Sequence, residues 1–344
     1  MTRILYGLCG VGIGHAVRGK VIIEHLKKKH DVLIICSSKP YDYLKREFKN
    51  VHKIEGFELI FRDNSIADYL TFLKNLKKIY RLNLENIEKI IEDFKPELII
   101  SDWETFSSIY AKRNDIPLIS VDNQHFLISG EFDFPKRYLW DYLKAKFTIN
   151  LLMKRADYYI ITSFYQTRLR NRHKDISLVP PILRNEIFEI KPAKKNYILV
   201  YQSTNSYNKL IKILKNVDER FIVYGFDKSS KEKNLEFKKF DEKDFLRDLN
   251  NCKAVICNGG FTFISEAIYL RKPILSLPIN GHFEQLLNAL YIKKMGYGEF
   301  YRDLDVENIK LFIKNLDKYK NVKHRQDKNK IALKMIDRII KGIK

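Results

Sequence analysis

The 344-residue sequence predicts an α/β fold built from two parallel-sheet domains, and three observations carry that prediction. Short apolar runs rich in Val and Ile alternate with helical patterns along most of the chain. The alternation lapses once, in a proline-containing connection, and then restarts. Each half also holds a glycine-rich turn where a strand gives way to a helix.

The first unit opens with an apolar strand over residues 3–9, a turn over 10–15 (Gly-Val-Gly-Ile-Gly-His), a helix over 16–29 and a second strand over 31–37. Further strands are expected at 98–101, 118–121 and 158–162, with helices at 65–91 and 104–113. Pro96 and Pro117 stand just ahead of strands, where a missing N–H is tolerated. After Pro180-Pro181 and Pro192 the pattern resumes, with strands at 197–201, 221–224, 254–257 and 274–277. Helices are expected at 208–214, 244–249 and 262–269. The stretch 308–344 reads as helical and basic, with twelve Lys or Arg against Asp317, Asp327 and Asp337. The division is a domain over 1–183, a linker over 184–196, a second domain over 197–320, and a basic helix over 321–344 packing back toward the first domain.

Composition narrows the function classes. A chain 45% apolar and 31% charged is globular, without the signature of disorder. It has no uncharged apolar run near the ~18 residues that a membrane span needs. Its N-terminal residues run straight into a strand, which does not read as a cleaved signal. Cys9, Cys36, Cys252 and Cys257 form no C-x-x-C pair and no cluster with histidine. They read as small core residues in a reducing compartment, so the expected location is cytoplasmic, with peripheral attachment to the inner face of a membrane left open. The net charge of +21 is dispersed and comes with no nucleic-acid recognition motif. Anionic lipid surfaces and polyanionic substrates are the partners it favours over nucleic acid, although an AT-rich coding bias alone can produce it.

The most informative stretch runs from Ala254 to Gly298. A strand ends at Asn258-Gly259-Gly260-Phe261-Thr262, and the following helix carries Glu266. Paired glycines let backbone approach a phosphate, and a helix start offers N–H groups with a partial positive charge. Glu266, one turn after Thr262, can accept from two vicinal ribose hydroxyls. His282, Glu284, Gln285 and Asn288 follow the next strand at another helix start, where they can read sugar hydroxyls.

This pattern closely resembles the donor-binding signature of GT-B-fold glycosyltransferases, similar to families 1 and 28 and to the family acting on the lipid-linked peptidoglycan precursor. The resemblance is strong over about forty-five residues, and weaker but collinear elsewhere. It implies two Rossmann-like domains facing each other across a cleft, the first on the acceptor side and the second holding a nucleotide-sugar donor. It implies ribose binding by Glu266, sugar contacts by Gln285 and Glu284, and diphosphate binding by the turn 258–262. Gly12, Gly14 and His15 then match the family's glycine-rich loop ending in histidine. The chain departs from the pattern at 202–206, where Ser203 and Thr204 stand in a loop that is usually glycine-rich. Their hydroxyls can still hold phosphate. It departs again at Arg271, where a small residue is usual.

A nicotinamide enzyme is disfavoured because His15 occupies the third glycine position of the dinucleotide spacing, and the second strand ends without an acid. His15 and Asp102, at a helix start and a strand end, are the candidate bases. Asn123, Gln124 and His125 close the next strand, with Asn123 and His125 assigned to the acceptor side. The segment 136–155 mixes basic and aromatic residues at helical spacing, as an ordinary core-facing helix or as one lying on a membrane surface. The segment 69–80 allows the same choice. The expected reaction is an inverting transfer to a hydroxyl acceptor, lipid-linked or glycan, from a donor that the resemblance makes uridine-based. No cofactor and no metal are expected. A nucleotide-sugar 2-epimerase of the same fold and a non-catalytic nucleotide-sugar-binding protein are the alternatives.

Overall fold

The computed structural model describes residues 1–68, 70, 71, 74, 75, 85–170, 175–191, 193, 195–205, 207–319 and 328–343. It divides into two compact units. One comprises Met1–Ile60, Asp68–Asn185 and Asp327–Lys344, and the other Phe61–Ala67 and Glu186–Gln326.

In unit 1 the elements are β1 (Arg3–Leu8), α1 (Gly14–Leu26), β2 (Asp31–Cys36), α2 (Ser38–Leu44) and β3 (Val51–Lys53). After the hairpin strands β4 (Phe61–Arg62) and β5 (Ser65–Ile66), which belong to unit 2, come α3 (Glu85–Phe94), β6 (Leu98–Asp102) and α4 (Thr105–Arg113). β7 (Leu118–Asp122), α5 (Phe126–Ser129), α6 (Leu139–Leu152), β8 (Tyr158–Thr162) and β9 (Ile176–Val179) complete the order up to residue 185. The seven strands form one parallel sheet in the order β3-β2-β1-β6-β7-β8-β9. Both faces are covered, which is why its strands are continuous apolar runs. Ile4, Tyr6 and Leu8 enter one core cluster and Leu5, between them, enters another. That is the two-residue alternation of a strand.

Unit 2 repeats the plan. β10 (Ile198–Tyr201), α7 (Asn208–Leu214), β11 (Phe221–Tyr224), β12 (Ser230–Glu232), β13 (Leu235–Phe237), α8 (Glu242–Asn251), β14 (Ala254–Cys257) and α9 (Phe261–Tyr269) come first. β15 (Ile274–Ser276), α10 (Phe283–Lys294), β16 (Gly298–Phe300) and α11 (Val306–Lys314) follow. Its sheet order is β12-β13-β11-β10-β14-β15-β16, parallel except for β12. The chain then returns to unit 1, where α12 (Lys330–Ile343) buries Ala332, Ile336 and Ile340 in the cluster that also holds α1. His25 Nε2 meets Asp337 Oδ1 at 2.8 Å beside it.

Two expectations change. The helix expected over 65–91 starts later: Ser65–Ile66 pairs antiparallel with Phe61–Arg62, the described residues between 68 and 75 and those of Glu85–Phe94 are helical, and residues 76–84 lie outside the described residues. Asp63 and Asn64 make the turn, both at positive φ (46° and 56°), a conformation that these short polar side chains tolerate. The basic C-terminal stretch is two helices, α11 and α12, and residues 320–327 and 344 lie outside the described residues. Residues 69, 72, 73 and 76–80 of the segment 69–80 also lie outside them.

Candidate functional sites at two strand edges

Each sheet reverses its winding once, and ligands of open α/β sheets bind beyond the strand ends at that point. In unit 1 the reversal lies between β1 and β6; in unit 2 it lies between β10 and β14. Most of the residues singled out from the sequence gather at these two places.

At the unit 1 edge, Asp102 ends β6 and is fully buried. Its Oδ1 receives His15 Nδ1 at 2.8 Å and the Arg18 guanidinium, and its Oδ2 accepts from Arg18 Nε at 3.0 Å. Burial pushes the Asp102 carboxyl up, but Arg18 and His15 outweigh it and hold the group below its ordinary range. An ionised carboxylate can only accept, so His15 Nδ1 carries the proton and Nε2 is left as the basic nitrogen. The 3.2 Å approach of Arg18 to Nδ1 is then a close contact between donors. Asp102, the other candidate base, is held on both oxygens in this geometry. No part of it reaches solvent, so it orients His15.

Arg18 was not singled out from the sequence, yet it organises the edge. Its Nη1 also donates to Asn123 Oδ1 at 3.0 Å and to Thr162 Oγ1 at 3.4 Å, tying the ends of β6, β7 and β8. The only sequence signal was its spacing of three from His15 within an apolar helical run. Asn123 is thus turned into this cluster. Next to it, His125 Nδ1 lies 2.6 Å from Asp122 Oδ2, and Ser120 donates to the same oxygen at 2.6 Å. Burial alone would raise Asp122, but His125 brings it down to about 2. His125 packs edge-on against Tyr159 and Trp103 and is buried. Gln124 is buried beside it, its Oε1 accepting from the Asn123 N–H at 3.3 Å. Of the glycine loop, Gly12 sits at φ 81°, where a side chain would be strained, and Gly14 is the first residue of α1.

At the unit 2 edge the side chains that brace the turn are neutral amides. Asn258 follows β14, and its Oδ1 accepts from the Ser203 N–H at 2.8 Å, reaching the end of β10. Its Nδ2 donates to Leu277 O at 3.2 Å beyond β15. Gly259 is locked: its N–H donates to Gln285 Oε1 and its carbonyl accepts from Asn288 Nδ2. A Cβ there would stand 2.4 Å from the Gln285 carbonyl oxygen, so this glycine answers to close packing. Gly260 is different. It is the N-cap of α9, and a Cβ built on it meets nothing within 4 Å. Phe261 and Thr262 open the helix, and Glu266 lies one turn on, buried to 1% exposure.

Three groups that the sequence offers to the donor are engaged within the protein. The Gln285 oxygen also accepts from the Ile279 N–H at 3.1 Å, so it braces the turn, and a sugar contact by this residue falls to its Nε2 donor. The Asn288 side chain is likewise committed to Gly259, and the Gly259 N–H is used within the protein, which moves any diphosphate contact to Gly260 and the first turn of α9. Ser203 is exposed and Thr204 half-buried. His282 is the N-cap of α10, with burial lowering its pKa, and Glu284 is half-buried in that helix's first turn. The expectation of no metal passed over one Asp-x-Asp pair, Asp303 and Asp305. Asp305 caps α11 by accepting from the Asn308 N–H at 2.7 Å. Among the described residues, no group of three or more His, Cys, Asp or Glu is placed to hold a metal ion.

One feature of this edge was invisible in the sequence. The β4–β5 hairpin joins it: Ser65 bridges Asn280, and Asn64 O accepts from the Asn280 N–H at 2.8 Å. The Asn64 side chain donates to Pro278 O and accepts from Asn258 Nδ2, both at 3.4 Å.

Comparison with known proteins follows the same lines. The model of the family described as Glycosyl transferase family 1 matches residues 2–317. An "uncharacterized glycosyltransferase" of Methanosarcina mazei is 27% identical over 331 residues, covering 86% of this chain and 84% of its own. Among solved structures, the glycotransferase of kitacinnamycin superposes with a TM-score of 0.64 at 12% identity, covering 98% of each chain. MurG of Acinetobacter baumannii superposes with a TM-score of 0.59 at 14% identity, covering 98% of this chain and 100% of its own. The two structural likenesses bear on the fold, which is GT-B.

Proposed function

The chain belongs to glycosyl transferase family 1 and is a glycosyltransferase, and on that premise we propose that it moves a sugar from a uridine diphosphate donor to a hydroxyl of a lipid-linked or glycan acceptor, with inversion and without a required divalent ion. The observation that carries this reading is the contrast at Gly259 and Gly260. One glycine is fixed by side-chain amides on both its N–H and its carbonyl, and the next opens onto free space at a helix start. Such a turn holds an anion with backbone dipoles that do not need to reorganise. The diphosphate takes the first turn of α9, and Glu266 takes the ribose.

His15 supplies the base. Its Nε2 removes the acceptor proton, the acceptor oxygen bonds the anomeric carbon, and the bond from that carbon to the phosphate oxygen breaks. The nucleoside diphosphate leaves with the electron pair toward the α9 amides, and Asp102 stabilises the imidazolium. A single displacement of this kind inverts the anomeric centre. The test is Glu266→Ala, which is expected to raise the donor KM sharply. Unchanged nucleotide binding by calorimetry in that variant would overturn the ribose assignment. Consumption of nucleotide sugar without any acceptor, followed by nuclear magnetic resonance, would point to epimerisation.

A further inference from the structure

Helix α6 is apolar on two faces. Its inner face buries Tyr142, Ile149 and Leu152. On its outer face Trp140 is 77% exposed, Phe147 67% and Leu151 60%, with Leu139 and Leu143 beside them. Trp140, Leu143, Phe147 and Leu151 are spaced by three, four and four residues, so they share one stripe about 80° wide. Eleven large apolar side chains are exposed among the described residues, and five of them lie in this helix, so the stripe is not the ordinary scatter of single exposed residues. Both ends of the helix are cationic. Exposed Lys136 and Arg137 precede it, and exposed Lys154 and Arg155 follow. The one acid within it, Asp141, lies 3.7 Å from Lys144.

We propose that this outer face of α6 docks on an anionic lipid bilayer, the apolar stripe entering the headgroup boundary and the cations at both ends meeting lipid phosphates. The charge pattern selects the occupant. A second copy of the chain laid along the stripe, in either direction, brings cationic ends against cationic ends. An anionic lipid surface neutralises both ends at once and accepts the stripe along its length. A large aromatic side chain such as Trp140 is suited to that boundary. The docking goes beyond the transfer reaction and uses no residue of either strand-edge site, so it stands or falls independently of the acceptor.

The experiment is co-sedimentation of the full chain with phosphatidylcholine vesicles, with and without phosphatidylglycerol. The chain should sediment with the anionic vesicles and stay in solution with the neutral ones. Trp140→Glu combined with Phe147→Glu should weaken binding about ten-fold or more, and so should Lys136→Glu combined with Lys154→Glu, which leaves the stripe intact. All four side chains are exposed, and an unchanged melting temperature would confirm that the variants fold. No binding to anionic vesicles, or binding that neither pair of substitutions weakens, would overturn the proposal. So would a dimer in sedimentation velocity that Phe147→Glu dissociates while vesicles bind nothing, since the face would then belong to a second copy.

Discussion

The two strand edges solve opposite problems with the same topology. In unit 1 the residues beyond the strand ends pair carboxylates with a guanidinium or an imidazole: Arg18 with Asp102, His15 with Asp102, and His125 with Asp122. In unit 2 they are amides, with Asn258, Gln285 and Asn288 spending their hydrogen bonds on backbone. Proton transfer needs an imidazole whose tautomer is fixed, and a buried carboxylate fixes it. An anion needs N–H dipoles whose positive ends are not already cancelled, and neutral braces preserve them. The contrast can be tested edge by edge.

The largest effect is expected from His15→Ala. If the unit 1 edge supplies chemistry and the unit 2 edge supplies binding, kcat should fall on the order of 10²–10⁴-fold while nucleotide binding by calorimetry stays unchanged. A variant that loses nucleotide affinity and keeps its turnover would reverse the two roles.

Arg18→Met comes next and reads stability. It leaves Asp102 buried without its guanidinium, which is expected to cost about 3–5 kcal/mol and to lower the melting temperature. Adding Asp102→Asn should recover part of the loss, because the uncompensated charge is then gone. If the single and double variants melt together, the pair is not what holds this edge.

The glycine pair sharpens the other edge. Gly259→Ala drives a Cβ into the Gln285 backbone and should cost about 1–3 kcal/mol of stability. Gly260 has φ −65° and ψ 123°, which alanine adopts readily, and its surroundings are open. Gly260→Ala should therefore melt like the parent and still raise the donor KM, because the added methyl stands where the diphosphate is expected. Equal melting temperatures for the two variants would break the distinction between a packing glycine and a ligand-facing one.

Much of this was legible in the sequence, and the exceptions have physical causes. Buried parallel strands such as Ala254–Cys257 and Tyr158–Thr162 are continuous apolar runs flanked by turn residues, and both appear at their expected bounds. The strands Ser230–Glu232, at the sheet edge, and Leu235–Phe237, next to it, are three residues long and carry charges, so periodicity does not mark them. The glycine pair was readable because backbone geometry restricts the residue types allowed there. Arg18 was not, because a buried arginine is indistinguishable by spacing from one on a solvated helix face. The bonds by which Gln285 and Asn288 brace the turn were hidden for a related reason. An amide beside a glycine turn looks the same whether it points at a sugar or at the turn, and only the distances to Gly259 and Ile279 decide.

The smallest effect concerns the residue whose contribution no sequence pattern announces. Asn64 sits early in the chain, yet its side chain joins Asn258 and Pro278, and its carbonyl holds the Asn280 N–H. Because it lies at φ 56°, alanine would add backbone strain, and Asn64→Gly is the cleaner change. It removes the side-chain bonds while keeping the conformation. Hydrogen bonds of this length between neutral groups contribute about 1 kcal/mol at most, so the donor KM should rise by no more than about five-fold. Since Asn64 braces Asn258 at the donor edge, kcat should not move. A fall in kcat with the donor KM unchanged would show that the hairpin serves the chemistry instead, and the division between a charged edge for catalysis and a neutral edge for binding would not hold.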